Sequence, residues 1–361
     1  MRKPILTLAL LAVTALPLGA QVLGDGSVFI GPQWATYKFG ASPTVKTVTQ
    51  LAIPFAVVLP FGERFAIDVS SSYATTEVKA AGAKTSSING LTDTQLRGNL
   101  TLGDNRVVLT FGLNLPTGQY TVAEHGQEAA GSIGNNFLLY PVSSMGSGFG
   151  TTGGVAFAQT LGNWNLGLGG SFRHSSPFDA YKVATTTLRF TPGDEFRVRV
   201  GLDRPVGDGS VNIGVTYSKF GSDAADSTTF ATGDRALAQA VWFTPVGTNA
   251  DLTISGWNLY RAAGQIIGGK APWENVANGN IAFGFHVGGV YVQPSAEGRL
   301  WQVDGTRAGT LGNVGVRLRL TVGALSINPS ATYGIGRLYP LGGGDPADIS
   351  GFKGSIVIRL H

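Results

Sequence analysis

The chain contains no cysteine. That excludes disulfides, thiolate metal sites and a lipid anchor carried on a cysteine. Charge is scarce too: Asp, Glu, Lys and Arg make up 13% of 361 residues, against roughly a quarter in ordinary globular chains. Beyond the first twenty residues there is no run of eighteen apolar residues, so nothing there reads as a membrane-crossing helix. Only four histidines occur, His125, His174, His286 and His361, and none sits at metal-ligand spacing from another. No HExxH motif, GxSxG elbow or phosphate-binding P-loop is present. The expectation is therefore no metal, no cofactor and no catalysis. A hydrolase set into a membrane barrel is the remote alternative, drawn from His174-Ser175-Ser176. Basic residues number 26 and acidic 22, a balance that gives no basis for a nucleic-acid partner.

What is present begins at the first residues. Arg2 and Lys3 form a short positive head, Ile5 to Leu16 is almost unbroken apolar sequence, and Leu18-Gly19-Ala20 precedes Gln21 as a small-residue cleavage site. This is the grammar of a secretory signal, and its apolar run is too short to span a bilayer. Residues 1–20 are expected to be a cleaved signal peptide and 21–361 a single domain. Removal of Arg2 and Lys3 leaves 24 basic against 22 acidic residues.

Glycine accounts for 53 residues, about twice the usual share near 7%. The glycines are spread through segments rich in Val, Ile, Phe, Thr and Tyr, which argues against disorder. These segments alternate with period two, the mark of strands with two unlike faces. Val107, Leu109, Phe111, Leu113 and Leu115 share one face, while Val108, Thr110, Gly112 and Asn114 share the other. Val314, Val316, Leu318 and Leu320 likewise oppose Gly315, Arg317, Arg319 and Thr321.

Strands are expected near 27–39, 45–61, 65–78, 88–102, 106–115, 149–161, 164–173 and 195–203. Eight more follow near 210–220, 234–243, 249–261, 278–287, 290–301, 309–322, 325–337 and 351–360. Many are longer than the roughly 5–6 residues of soluble sheets. Short connections near 62–64, 103–105, 162–163, 206–209, 245–247, 288–289 and 323–324 alternate with longer ones near 79–87, 116–148, 174–194, 221–233, 262–277, 302–308 and 338–350. A further strand at 183–190 would break the parity and is assigned to an outer loop. The expected fold is all-β: a transmembrane antiparallel up-and-down barrel of about sixteen strands, fourteen being possible, with short periplasmic turns and long outer loops. The last segment, Gly351 to His361, alternates as a closing strand does, although it ends Leu360-His361 where such barrels commonly end on an aromatic.

A charge facing lipid at the bilayer midplane costs about 2–4 kcal/mol, so the strand charges are placed inside. Arg97, Arg197, Arg199, Asp203, Asp251, His286, Glu297, Arg299, Arg317 and Arg319 are the candidate lumen-lining residues, with Asp93 and Arg359 on the same polar faces. They either line a water-filled pore, with mild anion preference, or only form a stabilising ladder. Loop 116–148 is longer than a connection requires and carries Phe137-Leu138-Leu139-Tyr140 with Met145 as candidate gate residues. This apolar run either folds inward, caps the rim or extends the next strand. Trp34, Tyr37, Tyr73, Trp164, Tyr217, Trp242, Tyr260, Trp301 and Tyr333 are placed mostly in interfacial girdles, with Trp301 a candidate for the lumen.

Several phrases carry a family resemblance. Residues 90–102 read Gly-Leu-Thr-Asp-Thr-Gln-Leu-Arg-Gly-Asn-Leu-Thr-Leu, and 111–118 read Phe-Gly-Leu-Asn-Leu-Pro-Thr-Gly. A GLGD-type strand start (here with Thr92 in third place) followed by an LPTG strand end resembles outer-membrane proteins of the meta-pathway phenol-degradation type. Gly146-Ser147-Gly148-Phe149-Gly150, Leu161-Gly162-Asn163-Trp164 and Pro192-Gly193-Asp194-Glu195-Phe196-Arg197 also fit. The resemblance covers about 45–220 and implies a porin-like barrel passing small, often aromatic or hydrophobic compounds.

The expected role is passive movement of small solutes, with hydrophobic or aromatic ones as candidates, across the outer membrane of a two-membrane bacterium. The alternative is a non-conducting barrel with a structural or surface-binding role. The expected partners are outer-membrane lipid, the barrel-insertion machinery and the small-molecule solute; the sequence specifies no oligomer.

Overall fold

The computed structural model describes residues 26–40, 45–80, 82, 85–104, 106–266, 268–341 and 345–360. The signal expected at 1–20 and the final His361 lie outside these residues.

Sixteen antiparallel strands form one closed barrel. In chain order they are β1 (Ser27–Ile30 and Gln33–Phe39), β2 (Val45–Phe61), β3 (Phe65–Ala80), β4 (Ser86–Leu91 and Thr94–Leu102) and β5 (Val107–Leu115). Then come β6 (Gly150–Leu161), β7 (Trp164–Ser175), β8 (Glu195–Val206), β9 (Gly209–Phe220), β10 (Arg235–Val246) and β11 (Ala250–Arg261). The last five are β12 (Glu274–Val287), β13 (Val290–Val303), β14 (Thr306–Val322), β15 (Leu325–Leu338) and β16 (Ala347–Leu360). Each pairs with the next in sequence. β16 closes on β1 through Val28 opposite Leu360, Gln33 opposite Ser355 and Phe39 opposite Ile349.

Alternation decides which face meets what. Phe111, Val314 and Ile335 stand outward with 62–64% of their surface uncovered. Phe196, Ile213, Val215, Ile281 and Phe283 are exposed on the same outer wall. Exposed apolar area on this scale belongs against lipid, because soluble chains keep such patches to a few hundred Å². No helix among the described residues is long and apolar enough to cross a membrane; the crossings are made by strands whose backbone groups are paired all round.

One end of the barrel carries seven short turns, each with a glycine in the left-handed region: Gly62, Gly103, Gly162, Gly207, Gly247, Gly288 and Gly323, with φ between 57° and 67°. The other end carries the long connections. There, Phe178–Val183, Thr186–Thr191, Asp223–Ala225 and Thr228–Phe230 join Val122–Ala123 in a separate five-stranded sheet. The segment 183–190 thus lies in a loop hairpin, outside the barrel wall.

Four details differ from the sequence reading. The span 302–308 holds a two-residue turn, Asp304-Gly305, with φ of 47° and 78°, so β13 and β14 run on to meet it. Asp-Gly between alternating strands is a strong tight-hairpin signal. β4 is interrupted at Thr92-Asp93, and β1 at Gly31-Pro32, where proline cannot donate to the ladder. One α-helix, α1 (Gln127–Ile133), forms within the long loop. Tyr37, assigned to a girdle, points inward and is 2% exposed.

Candidate functional site

The molecule's buried apolar cluster lies inside the barrel, where the loop between β5 and β6 packs against the wall. Leu115 ends β5 and Gly150 opens β6. Between them the chain turns inward, and Phe137, Leu138, Tyr140, Val142 and Met145 join a cluster with Tyr37, Val48, Ala52, Val276 and Leu311. Those wall residues lie on the face opposite the lipid-facing side chains. Phe137 is fully buried and stacks on Trp301 at 5.5 Å. Burying such a ring is worth about 1.5–3 kcal/mol, and the aromatic pairing adds about 0.5–1.5 kcal/mol.

Polar side chains from separate strands hold the loop's backbone. Gln50 of β2 donates to the Val142 carbonyl at 2.8 Å and accepts from the Val142 amide at 2.8 Å. Its amide also donates to Thr76 of β3 at 3.0 Å. Tyr37 donates its hydroxyl to the Leu138 carbonyl at 2.8 Å. Lys353, the seventh of fourteen residues in β16, donates to the carbonyls of Leu138 and Leu139 at 2.9 and 3.0 Å. Arg299 donates to the Phe137 carbonyl while ion-paired to Glu297. The run is therefore gripped part-way down the barrel from β13, β16, β1 and β2, within one arc of six consecutive strands.

Asp93 ties the base of the loop. Its carboxylate accepts from the Gly118 amide at 3.1 Å, the Ser147 amide at 2.6 Å and the Asn114 side chain at 2.8 Å. A side chain at Gly118 would strike the backbones of Met145, Asp93 and Thr92. Thr117 accepts from the Thr94 amide at 2.8 Å. The GLTD and LPTG phrases of the sequence thus meet in space, where β4 breaks and the loop departs.

Of the candidate gate residues, Phe137, Leu138, Tyr140 and Met145 are buried in this cluster, and Leu139 is 39% exposed. Burial raises the Tyr140 phenol above its ordinary pKa, and neighbouring Tyr37 adds to the shift.

The ten charged or titratable candidates all face inward but do not form one group. Asp251, His286, Glu297, Arg317 and Arg319 share a cavity of about 970 Å³ that reaches toward the turn end. Arg299 sits above it under the loop. Arg97 pairs with Asp68 at 2.9 Å, and Arg197 with Glu195 at 2.6 Å. Asp203 accepts from Asn165 at 3.1 Å. Arg199 forms no ion pair among the described residues. Sequence reasoning missed Tyr37, Gln50 and Lys353 as loop holders. Their signal was a polar side chain on an inward position flanked by small or apolar ones, such as Val48-x-Gln50-x-Ala52.

The loop end holds a second cavity of about 480 Å³, between the inward loop and the five-stranded sheet. Its rings are Tyr120, Phe178, Tyr181, Phe190 and Phe230. Phe178 meets Tyr120 and Phe190 edge-on at 6.1 and 5.6 Å. No group of three metal-ligating side chains occurs among the described residues. His174 bonds Asp194 at 2.7 Å on the outer wall, but no hydroxyl hydrogen-bonds its other ring nitrogen among the described residues.

These features define a transmembrane β-barrel of the outer-membrane type. No protein-family model matches the chain, and no curated protein matches it. Solved structures do. A bacterial polysaccharide outer-membrane secretin aligns over 93% of this chain and 98% of its own, with 8% identity and a TM-score of 0.50. CdiB from Acinetobacter baumannii aligns over 91% of this chain and 60% of its own, with 10% identity and a TM-score of 0.51. OprB of Pseudomonas putida aligns over 94% and 96%, with 11% identity and a TM-score of 0.47. The likeness to the first two is one of fold.

Proposed function

We propose that this chain is a passive channel for small solutes in the outer membrane of a two-membrane bacterium, with the loop 116–149 as its constriction. The supporting observation is the placement of that loop: it covers part of the cross-section and leaves the 970 Å³ polar cavity beneath it. In this reading the turn end faces the periplasm and the loop end the exterior. The aromatic cavity at the loop end lies within the roughly 300–1,000 Å³ of small-molecule sites. It supports apolar or aromatic solutes, as the resemblance to the phenol-degradation type implies. The four buried gate candidates then set the width of the passage.

Liposome swelling tests this. Vesicles containing the refolded mature chain are expected to swell in arabinose faster than empty vesicles, and more slowly in a trisaccharide. Swelling no faster than in empty vesicles for every solute would favour a non-conducting barrel.

A further inference from the structure

The arginines inside the barrel fall into two kinds. Arg97, Arg197, Arg261 and Arg299 each hold a carboxylate, those of Asp68, Glu195, Glu274 and Glu297. Arg199 and Arg235 hold none among the described residues, and neither do Arg317 and Arg319. The last two stand two residues apart on the inward face of β14, hence about 7 Å apart along the strand, and both line the 970 Å³ cavity. Neither makes an ion pair among the described residues, although that cavity contains two acids.

Those acids are engaged elsewhere. Asp251 accepts the Tyr291 hydroxyl at 2.9 and 2.8 Å from its two oxygens. Glu297 takes Arg299, the Asn278 amide at 2.7 Å and the Asn313 amide at 3.2 Å. Tyr291 acts as a spacer: its hydroxyl turns to Asp251 while its ring lies 4.9 Å beneath the Arg319 guanidinium. Stacking orients Arg319 and leaves its N–H edge free for a ligand. Space for the tyrosine comes from Gly284, where a Cβ would collide with the Tyr291 hydroxyl. Opposite Arg317 in the ladder stand Gln293 and Ser330, both neutral and both lining the cavity.

We propose that Arg317 and Arg319 form an anion-binding site that selects solutes bearing a carboxylate. Two guanidinium forks fit carboxylate oxygens in bidentate fashion. The charge of Asp251, held beside Arg319 through Tyr291, disfavours a multiply charged anion such as phosphate. The site rests on reading the cavity as part of a pore, and it deepens that reading by naming the solute's charged group.

The test uses the refolded mature chain in lipid nanodiscs, with ¹⁹F NMR of 4-fluorobenzoate and the neutral 4-fluorobenzamide as probes. Saturable broadening is expected for the benzoate, beyond that in empty nanodiscs, and not for the amide. Inorganic phosphate is expected to compete poorly and acetate well. Arg317→Gln with Arg319→Gln should weaken benzoate binding at least tenfold. Arg317→Lys with Arg319→Lys keeps the charge but loses the fork, so it should preserve chloride preference in reversal potentials while weakening benzoate several-fold. Heat-modifiable gel migration checks that both variants fold, and Arg64→Gln at a short turn should change nothing. Equal response to benzoate and benzamide, no saturable binding, or undiminished binding by the double Gln variant would overturn the proposal. Benzoate binding without any current would leave the site standing and remove the channel; current without benzoate binding would do the reverse.

Discussion

At the scale of single residues, the inward loop depends on a few side chains that treat its backbone as a partner. Gln50 satisfies both the amide and the carbonyl of Val142. Replacing it with Leu leaves those buried groups unpaired, at about 1–3 kcal/mol each. Gln50→Leu is therefore expected to speed proteolysis within 127–145 while the barrel still shifts on a gel; cleavage at the wild-type rate would contradict the clamp. Two tyrosines in edge contact at 5.6 Å should behave differently. Tyr37→Phe loses the bond to Leu138 and about 1 kcal/mol. The Tyr140 hydroxyl has no hydrogen-bond partner among the described residues, so Tyr140→Phe should leave the thermal midpoint unchanged or slightly raised. Little of this was legible beforehand. Gln50 and Lys353 look like ordinary polar positions of alternating strands, and their partners lie 92 and 215 residues away.

At the scale of elements, one strand must offer lipid and water opposite faces. Val314 is the ninth of seventeen residues in β14 and faces outward; Thr253 in β11 lines the cavity. Val314→Arg is expected to cost about 2–4 kcal/mol, whereas Thr253→Arg, whose charge stays in water, should cost far less. Urea titration of folding into vesicles measures both, and equal losses would contradict the assignment of faces. This alternation was readable because its period is short and local, and all sixteen strands stand where it places them. Strand ends were less readable. β12, β14 and β16 each start three or four residues before the expected point, because neighbouring strands pair beyond the clear alternation. The Asp304-Gly305 turn was overlooked for a different reason: parity suggested a long loop where a tight turn suffices.

At the scale of the whole molecule, a closed wall satisfies its own backbone and does not rely on the loop for its integrity. The loop's apolar run supplies a core that the barrel otherwise lacks, and it separates an aromatic cavity at one end from a polar cavity at the other. Removing Phe137 to Ala should loosen this partition, costing about 3–5 kcal/mol of docking as large aromatic deletions do, and should raise background conductance. Half of the candidate lining residues share the polar cavity. The others are spread round the wall, since sequence places a residue on a face but not at an angle about the axis. The loop's direction was likewise open in the sequence: an apolar run between polar segments packs equally well on a rim, and only the complementary donors of β1, β2, β13 and β16 decide for the interior.

The most direct test is single-channel recording of the refolded mature chain beside a variant lacking Gln127–Met145, both in planar bilayers. Discrete current steps are expected from the intact chain, with several-fold larger steps from the deletion variant at the same voltage. No steps from either protein, although both fold by gel shift, would contradict the channel. Steps of equal size would contradict the constriction.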